Sequence, residues 1–228
     1  MGSAIRDLIP YALGMAASPI AVIAVILMLL SKRGSANSAS FLAGWIVGVV
    51  GASVVTLVFA RMLHDGSAGP SSDLSSIVKV VLGAFLLLLA ARSFRKRPKP
   101  GQQADLPKWL QTIDSLTPMK SAVVGAVSPL GGGLNPTNLI LIAGAMVTLS
   151  RDHLAPGSNA IVILVFTLIG ISTVAAPVGL YLAGGKKARL LLDRSKTWLT
   201  QNNATVTAVM LLVIGGVLLV EGIRDLSA

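Results

Sequence analysis

Six long apolar segments, separated by short polar stretches, dominate the hydrophobic pattern of the chain. Most are close to the roughly 20 helical residues needed to cross the hydrocarbon core of a bilayer. Of all residues 54% are apolar and only 12% are charged, whereas soluble domains are about 25% charged. The pattern predicts an all-α, multipass membrane protein. The six predicted spans are residues 8–30, 41–60, 77–91, 121–149, 160–183 and 204–223.

Lysine and arginine are concentrated in three of the connections between these segments. The first, third and fifth connections hold most of the 19 basic residues, so the positive-inside rule places them in the cytoplasm and both termini outside. A basic cytoplasmic face therefore explains the net charge of +10, and an aromatic content of 4% gives no support to nucleic-acid binding. Two stretches of this face, residues 106–116 and 188–199, have the spacing of amphipathic helices that lie in the membrane interface.

Three short matches relate the first half of the chain to the second. They are LGMAASP (13–19) on LGGGLNP (130–136), IVG (46–48) on LIG (168–170), and LGAFLLLLAAR (82–92) on IGGVLLVEGIR (214–224). Each half holds three predicted spans, an odd number, so the halves must insert in opposite directions. Inverted repeats of this kind organise many transporters. The predicted units are residues 1–94, a basic linker with an interfacial helix at 95–118, and residues 119–228.

Proline interrupts the first and fourth segments near their middles. Pro19 and Pro136 each remove a backbone donor and clash with the preceding turn, so we predict a broken helix in both segments. The interruption and the length of the first segment also indicate a retained helix rather than a cleaved secretory signal. Backbone groups freed at membrane depth belong against protein or a cavity, which makes the breaks a candidate substrate site. Its predicted residues are Ser18, Pro19, Asn135, Pro136, Thr137 and Asn138. The alternative is that these residues only repair the broken backbone and pack helices.

Two charged residues fall inside predicted spans. Charged side chains are rare within membranes and usually have a function there. Lys79 lies in the third span and Glu221 in the sixth, and the predicted topology puts both near the outer surface. We interpret them as a candidate pair that locks an outer gate; the alternative is that each side chain extends separately to the interface. Pro177 in the fifth span is interpreted as a kink with a candidate gating role.

Enzymatic chemistry has no visible candidate in the sequence. Cysteine is absent, and the two histidines, His64 and His153, lie in predicted loops without a nearby cluster of metal-ligand spacing. Acid–base pairs, nucleophile constellations and nucleotide-binding motifs are not apparent either. We therefore predict a protein that is not an enzyme and that has no cofactor, no catalytic residue and no metal.

The Ser18-Pro19 and Asn135-Pro136-Thr137-Asn138 motifs, in two three-helix halves joined by a basic loop, resemble the GAP or Sap family. These are the glycolipid- and sulfolipid-addressing proteins of actinobacteria, within the LysE transporter superfamily. The resemblance covers the whole chain. It implies a protein of the inner membrane that exports a cell-envelope glycolipid, or helps to deliver it, with membrane lipids and a lipid cargo as its partners.

We expect this transport to proceed by alternating access between the two inverted repeats. Two other functions remain open from the sequence. One is export of a small amino acid or metabolite. The other is a non-transporting scaffold whose basic cytoplasmic face docks lipid-synthesis or export proteins.

Overall fold

The computed structural model of the protein describes residues 1–65, 72–97, 108–131 and 137–227. Nearly all of this part of the chain is helical, as the apolar segments predict. In chain order the elements are α1 (Gly2–Ala16), α2 (Pro19–Leu30), α3 (Gly34–Asp65), α4 (Ser72–Arg95), a 3-10 helix (Lys108–Ser115), α5 (Pro118–Val127), a 3-10 turn (Ser128–Leu130), α6 (Thr137–Ser150) and α7 (Pro156–Leu226).

Four helices among the described residues are long and apolar enough to cross a membrane. Two of them belong to α7 and are here named α7a (Pro156–Gly184) and α7b (Lys187–Leu226); the others are Gly34–Met62 in α3 and Ser76–Arg95 in α4. The bent pair α1–α2 forms a fifth span if its two helices are counted together. α6 is apolar but shorter than a full span. The protein is therefore a multipass membrane protein with four to five candidate spans.

The two spans of α7 pack side by side. In a straight helix Thr173 and Met210 would lie roughly 55 Å apart at 1.5 Å per residue, yet both line the same cavity, together with Leu180 and Leu191. The side chain of Arg189 also reaches back to α7a, where its guanidinium donates to the Tyr181 hydroxyl at 2.9 Å. The chain therefore folds back between α7a and α7b.

The interrupted segment α1–α2 lies at the centre of the bundle. Tyr11 and Met15 of α1, and Ile23 and Met28 of α2, are fully buried, and both helices pack against α7. The long helices α3, α4 and α7 instead expose many large apolar side chains, which in a membrane face the acyl chains of the lipid. Bundle helices thus surround the irregular backbone between α1 and α2, the arrangement that a bilayer requires.

Glycines bring two pairs of helices into backbone contact. In the first pair, here called the α3–α5 seam, a Cβ added at Gly44 or Gly48 would overlap the carbonyl oxygen of Ala122 or Ala126, and one at Gly125 would overlap that of Phe41. In the second, the α4–α7b seam, added Cβ atoms at Gly83 and Gly215 would lie within 3 Å of backbone atoms of the facing helix. Such small-residue interfaces are the usual means of close helix packing in membranes.

The two predicted interfacial stretches differ in structure. Residues 188–199 are the first turns of α7b, whereas the described part of 106–116 is a 3-10 helix. Leu110 and Ile113 of this 3-10 helix are buried, and the helix packs against α2. The Asn37 amide donates to the Leu116 carbonyl at 2.9 Å, which ties the end of the segment to α3. Of the predicted linker 95–118, residues 98–107 lie outside the described part of the chain.

Candidate functional site

The break between α1 and α2 is built around Ser18 and Pro19. α1 ends at Ala16, Pro19 is the first residue of α2, and the two helix axes are bent by 52°. Pro19 has no N–H and cannot continue the hydrogen-bond ladder of α1. A hydroxyl from a distant part of the chain supplies a donor to one of the last carbonyls of α1, because Thr173 Oγ1 of α7a donates to the Ala16 carbonyl oxygen. The break is thus tied to α7a by a side chain.

A small cavity joins this break to the start of α6. Its volume is about 30 Å³, enough for one or two water molecules. Gly14 and Thr207 contribute to its wall, and four of the six predicted substrate-binding residues surround it: Ser18, Pro19, Thr137 and Asn138. Both Thr137 and Asn138 are buried. The other two, Asn135 and Pro136, lie outside the residues that the structure describes.

A much larger apolar cavity adjoins the same break and shares Ser18 and Pro19 with the small one. It measures about 630 Å³, a size typical of ligand sites. Residues of α2, α7a and α7b line it, and no charged residue is among those described. The predicted kink residue Pro177 is in its wall, and Ser18, Thr173 and Ser195 supply the three hydroxyls. The cavity is an open cleft, because Leu180, Leu191 and Met210 in its lining remain exposed.

An ionic cluster links α4 to the far end of α7b. Lys79 Nζ lies 2.8 Å from an Asp225 carboxylate oxygen and 3.9 Å from a Glu221 oxygen. The Lys79 side chain is only 13% exposed, and both carboxylates are considerably more exposed. The structure therefore brings the predicted pair together, with Asp225 as the closer partner of Lys79. We call this the Lys79 cluster.

The cluster and the two cavities follow one another along α7b. Glu221 and Asp225 are nearest its C-terminal end, residues from Thr207 to Ile214 line the small cavity, and Leu191, Ser195 and Leu199 line the large one. Glu221 lies roughly 10 Å along the helix from Ile214. Met210 belongs to both cavities. The two cavities are thus neighbours along α7b, and the Lys79 cluster lies beyond them toward the C-terminal end of the helix.

Two residues of this arrangement were not identified as site residues from the sequence. Asp225 lies two residues beyond the end of the last predicted span, 204–223, and so is not among the charges inside spans. Thr173 gave no signal in the sequence, since it lies in the apolar fifth span and its partner Ala16 is 157 residues away in the chain.

These features define a class of protein: a multipass helical membrane protein with an internal apolar cleft beside a broken central helix. Residues 8–224 match the family described as Sap, sulfolipid-1-addressing protein, and the chain belongs to this family. Among curated proteins it is similar to the sulfolipid-1 exporter Sap of Mycobacterium tuberculosis (strain ATCC 25618 / H37Rv). The two are 23% identical over 94% of this chain and 97% of the relative. No solved structure matches the chain.

Proposed function

We propose that this protein is an inner-membrane transporter that exports or addresses a cell-envelope lipid, in particular a glycolipid. One observation carries the proposal: Ser18 and Pro19 lie between a small cavity with polar residues and a large apolar cleft. An amphiphile needs both kinds of surroundings in adjacent positions. The sulfolipid-1 exporter named among the relatives supports a lipid as the cargo class.

The lining of the cavities favours a lipid over a small amino acid or metabolite. A zwitterionic amino acid would need a charged partner in its site, because burying an unpaired charge is costly. Among the described residues, both cavities are lined by uncharged side chains. Ser18, Thr137 and Asn138, with Asn135, are proposed to meet the hydroxyl, amide or ester groups of a neutral or glycosylated headgroup. Pro19 and Pro136 would hold the helix breaks open for it.

We further propose that six spans form two inverted three-helix repeats, with the first and fourth spans broken at proline. Contacts between α4 and α7b support this symmetry. Gly83 and Gly215 occupy equivalent positions in the aligned segments 82–92 and 214–224. A Cβ on Gly83 would lie 2.8 Å from the Gly215 oxygen, and one on Gly215 would lie 2.9 Å from the Gly83 oxygen.

A second pair of contacts is related in the same way. The Gly83 Cβ would lie 2.7 Å from the nitrogen of Leu219, and the Gly215 Cβ 3.1 Å from that of Leu87, the equivalent residue. Reciprocal contacts of this type are what a two-fold axis between two elements produces. The axis would pass between α4 and α7b and relate residues 1–94 to residues 119–228.

Alternating access would then arise from movement of one repeat against the other. The Lys79 cluster is proposed as the outer gate, since its charges connect α4 to α7b beyond the cavities. Pro177, buried in α7a beside the cleft, is proposed as a hinge for the opposite side. The basic connections would face the cytoplasm, and both termini would lie outside.

The test is complementation of a strain that lacks the gene, with lipids extracted from the cell surface and quantified by mass spectrometry. Wild type should restore one class of surface lipid, whereas Asn135→Ala and Asn138→Ala should not restore it fully. Asn202→Ala is the matched control, because its amide donates to Trp198 O within α7b, outside both cavities. Full export by both site variants would remove the proposed headgroup site. Surface lipids that do not change on deletion would favour the scaffold function.

A further inference from the structure

We propose that the large cleft between α2, α7a and α7b holds an acyl chain of the cargo lipid inside the protein. The inference rests on the proposed function and specifies it, because it assigns the tail of the lipid to a protein site rather than to the surrounding bilayer. The lining chemistry, the position of the cleft and the charge near one end each support it.

The lining is suited to hydrocarbon and poorly suited to sugar. Val22 and Ile26 of α2 face leucines of both α7 spans across the space. Of the three hydroxyls, that of Thr173 already donates to the Ala16 carbonyl. A sugar would leave most of its hydroxyls without partners here, and each unpaired buried polar group is costly. A methylene chain has no such requirement.

The cleft also follows the direction of a lipid tail. Along α7a its lining extends from Thr173 to Leu180, and along α7b from Leu191 to Met210, roughly 10 Å and 28 Å at 1.5 Å per residue. The cleft is therefore long enough for an acyl chain, which spans one leaflet of about 15 Å in a hydrocarbon core of about 30 Å. One end of the cleft is the break at Ser18 and Pro19, and the other is formed by Leu191 and Leu192.

Basic residues mark the end of the cleft that is farther from the break. Lys187, Arg189 and Arg194 are exposed on α7b next to the lining residues Leu191, Leu192 and Ser195. They belong to the connection that charge bias assigns to the cytoplasm. We therefore place the entrance of the cleft at the cytoplasmic leaflet, so that the tail lies between this entrance and the headgroup site at the break.

Binding of this kind is suited to a carrier. Lipid tails are about as apolar as leucine side chains, so transfer of a tail from the bilayer into the cleft has little hydrophobic driving force. The open cleft, with Leu180, Leu191 and Met210 exposed, gives a tail lateral access. The tail would enter and leave readily, and selectivity would come from the headgroup.

The experiment uses the full chain in vesicles of phosphatidylethanolamine and phosphatidylglycerol that contain a phospholipid with a photoreactive diazirine on its acyl chain. After irradiation, mass spectrometry maps the labelled residues. We expect labels on the cleft residues Val22, Ile26, Thr173 and Ala176, in addition to labels on lipid-facing residues such as Val55. Ala176→Trp should fill the cleft and abolish its labels while leaving those at Val55.

Ala84→Trp is the matched control, because Ala84 is an exposed alanine of α4 outside the cleft. Val22→Phe is a second filling variant in case Ala176→Trp does not fold. Labels confined to the outer surface, or cleft labels that persist in both filled variants, would overturn the inference.

The cell-surface lipid measurement separates this inference from the proposed function. If export depends on the gene but the cleft is not labelled, only the acyl-chain site fails. If the cleft is labelled but deletion leaves the surface lipids unchanged, the export proposal fails and a lipid-binding cleft remains.

Discussion

The α3–α5 seam and the cleft beside α2 are opposite extremes of packing within one helical bundle. At the seam, Gly44, Gly48 and Gly125 allow two backbones to touch, and an added Cβ would overlap the opposite chain. At the cleft, α2, α7a and α7b leave a space of about 630 Å³. Lipid cannot supply a hydrophobic force between helices, so close packing must hold the bundle together where it forms. The bundle thus has a closely packed framework and a separate part with room for a ligand.

The largest loss of stability from one added methyl group is expected at the α3–α5 seam. Gly44→Ala should lower the free energy of unfolding in detergent by about 3 kcal/mol or prevent folding, because α3 and α5 would have to separate. Gly51→Ala on the same helix is the control, since no described atom lies within 4 Å of its added Cβ. It should raise stability by about 0.5–1 kcal/mol, because alanine is the better helix former. Equal effects of the two variants would show that the seam is not closely packed.

An added methyl group at the α4–α7b seam should lower stability less. The Cβ of Gly83→Ala would meet backbone atoms at 2.7–2.8 Å, a milder overlap than at Gly44, and we expect a loss of about 1–3 kcal/mol. Gly215→Ala should cost a similar amount if a two-fold axis relates the two positions. The control is Gly216→Ala, whose added Cβ has no described atom within 4 Å. A large effect at only one of Gly83 and Gly215 would count against the symmetry.

The fold was largely predictable because its signals are local. Run length predicted the apolar helices, of which four to five are candidate spans, and Pro19 coincides with the start of α2. The contacts between distant segments were harder, since they depend on which helices become neighbours. Two glycines four residues apart, Gly44 and Gly48, are typical of close helix contact in membranes, but nothing in the sequence identifies α5 as the partner. Nor did it reveal the large cleft, because its size depends on how far α7a and α7b are separated.

Contacts between distant segments also limited the prediction of the candidate site. Ser18, Thr137 and Asn138 were recognisable because polar groups beside helix breaks are uncommon at membrane depth. Thr173 contacts Ala16 across a long sequence separation, and only the packing of α7a on α1 brings them together. The Lys79 cluster includes Asp225 because α7 continues helically to Leu226, beyond the predicted apolar core.

The Lys79 cluster should contribute modestly to stability and more clearly to access. Asp225→Asn should lower the free energy of unfolding by about 1 kcal/mol and Glu221→Gln by a few tenths, because Asp225 is the closer partner and exposed ion pairs are weak.

Access past the cluster can be measured with a single introduced cysteine. The chain has no cysteine of its own, so Thr148→Cys provides one labelling site, next to the Tyr11 hydroxyl. An impermeant thiol reagent added from outside should label it faster in the Lys79→Met background. Unchanged labelling would argue against a gate.

A similarly modest effect is expected for the hydroxyl that ties the break to α7a. Thr173→Val should cost about 0.6 kcal/mol, the average for interhelical hydrogen bonds in a membrane. Thr167→Val is the matched control, because Thr167 donates only to Ile163 O within its own helix, at 2.8 Å. Thermal unfolding of both variants would compare them. A loss at Thr167 equal to that at Thr173 would mean that the contact with α1 has no special role.

The most direct test of the central claim, that the protein carries an envelope lipid across the membrane, is a pulse-labelling measurement in cells. Newly made lipids are labelled, and their appearance in the surface fraction is followed with and without the gene. The account predicts that cells without the protein synthesise the cargo lipid at the normal rate but retain it in the inner membrane. Arrival at the surface at an unchanged rate, or loss of its synthesis, would contradict it.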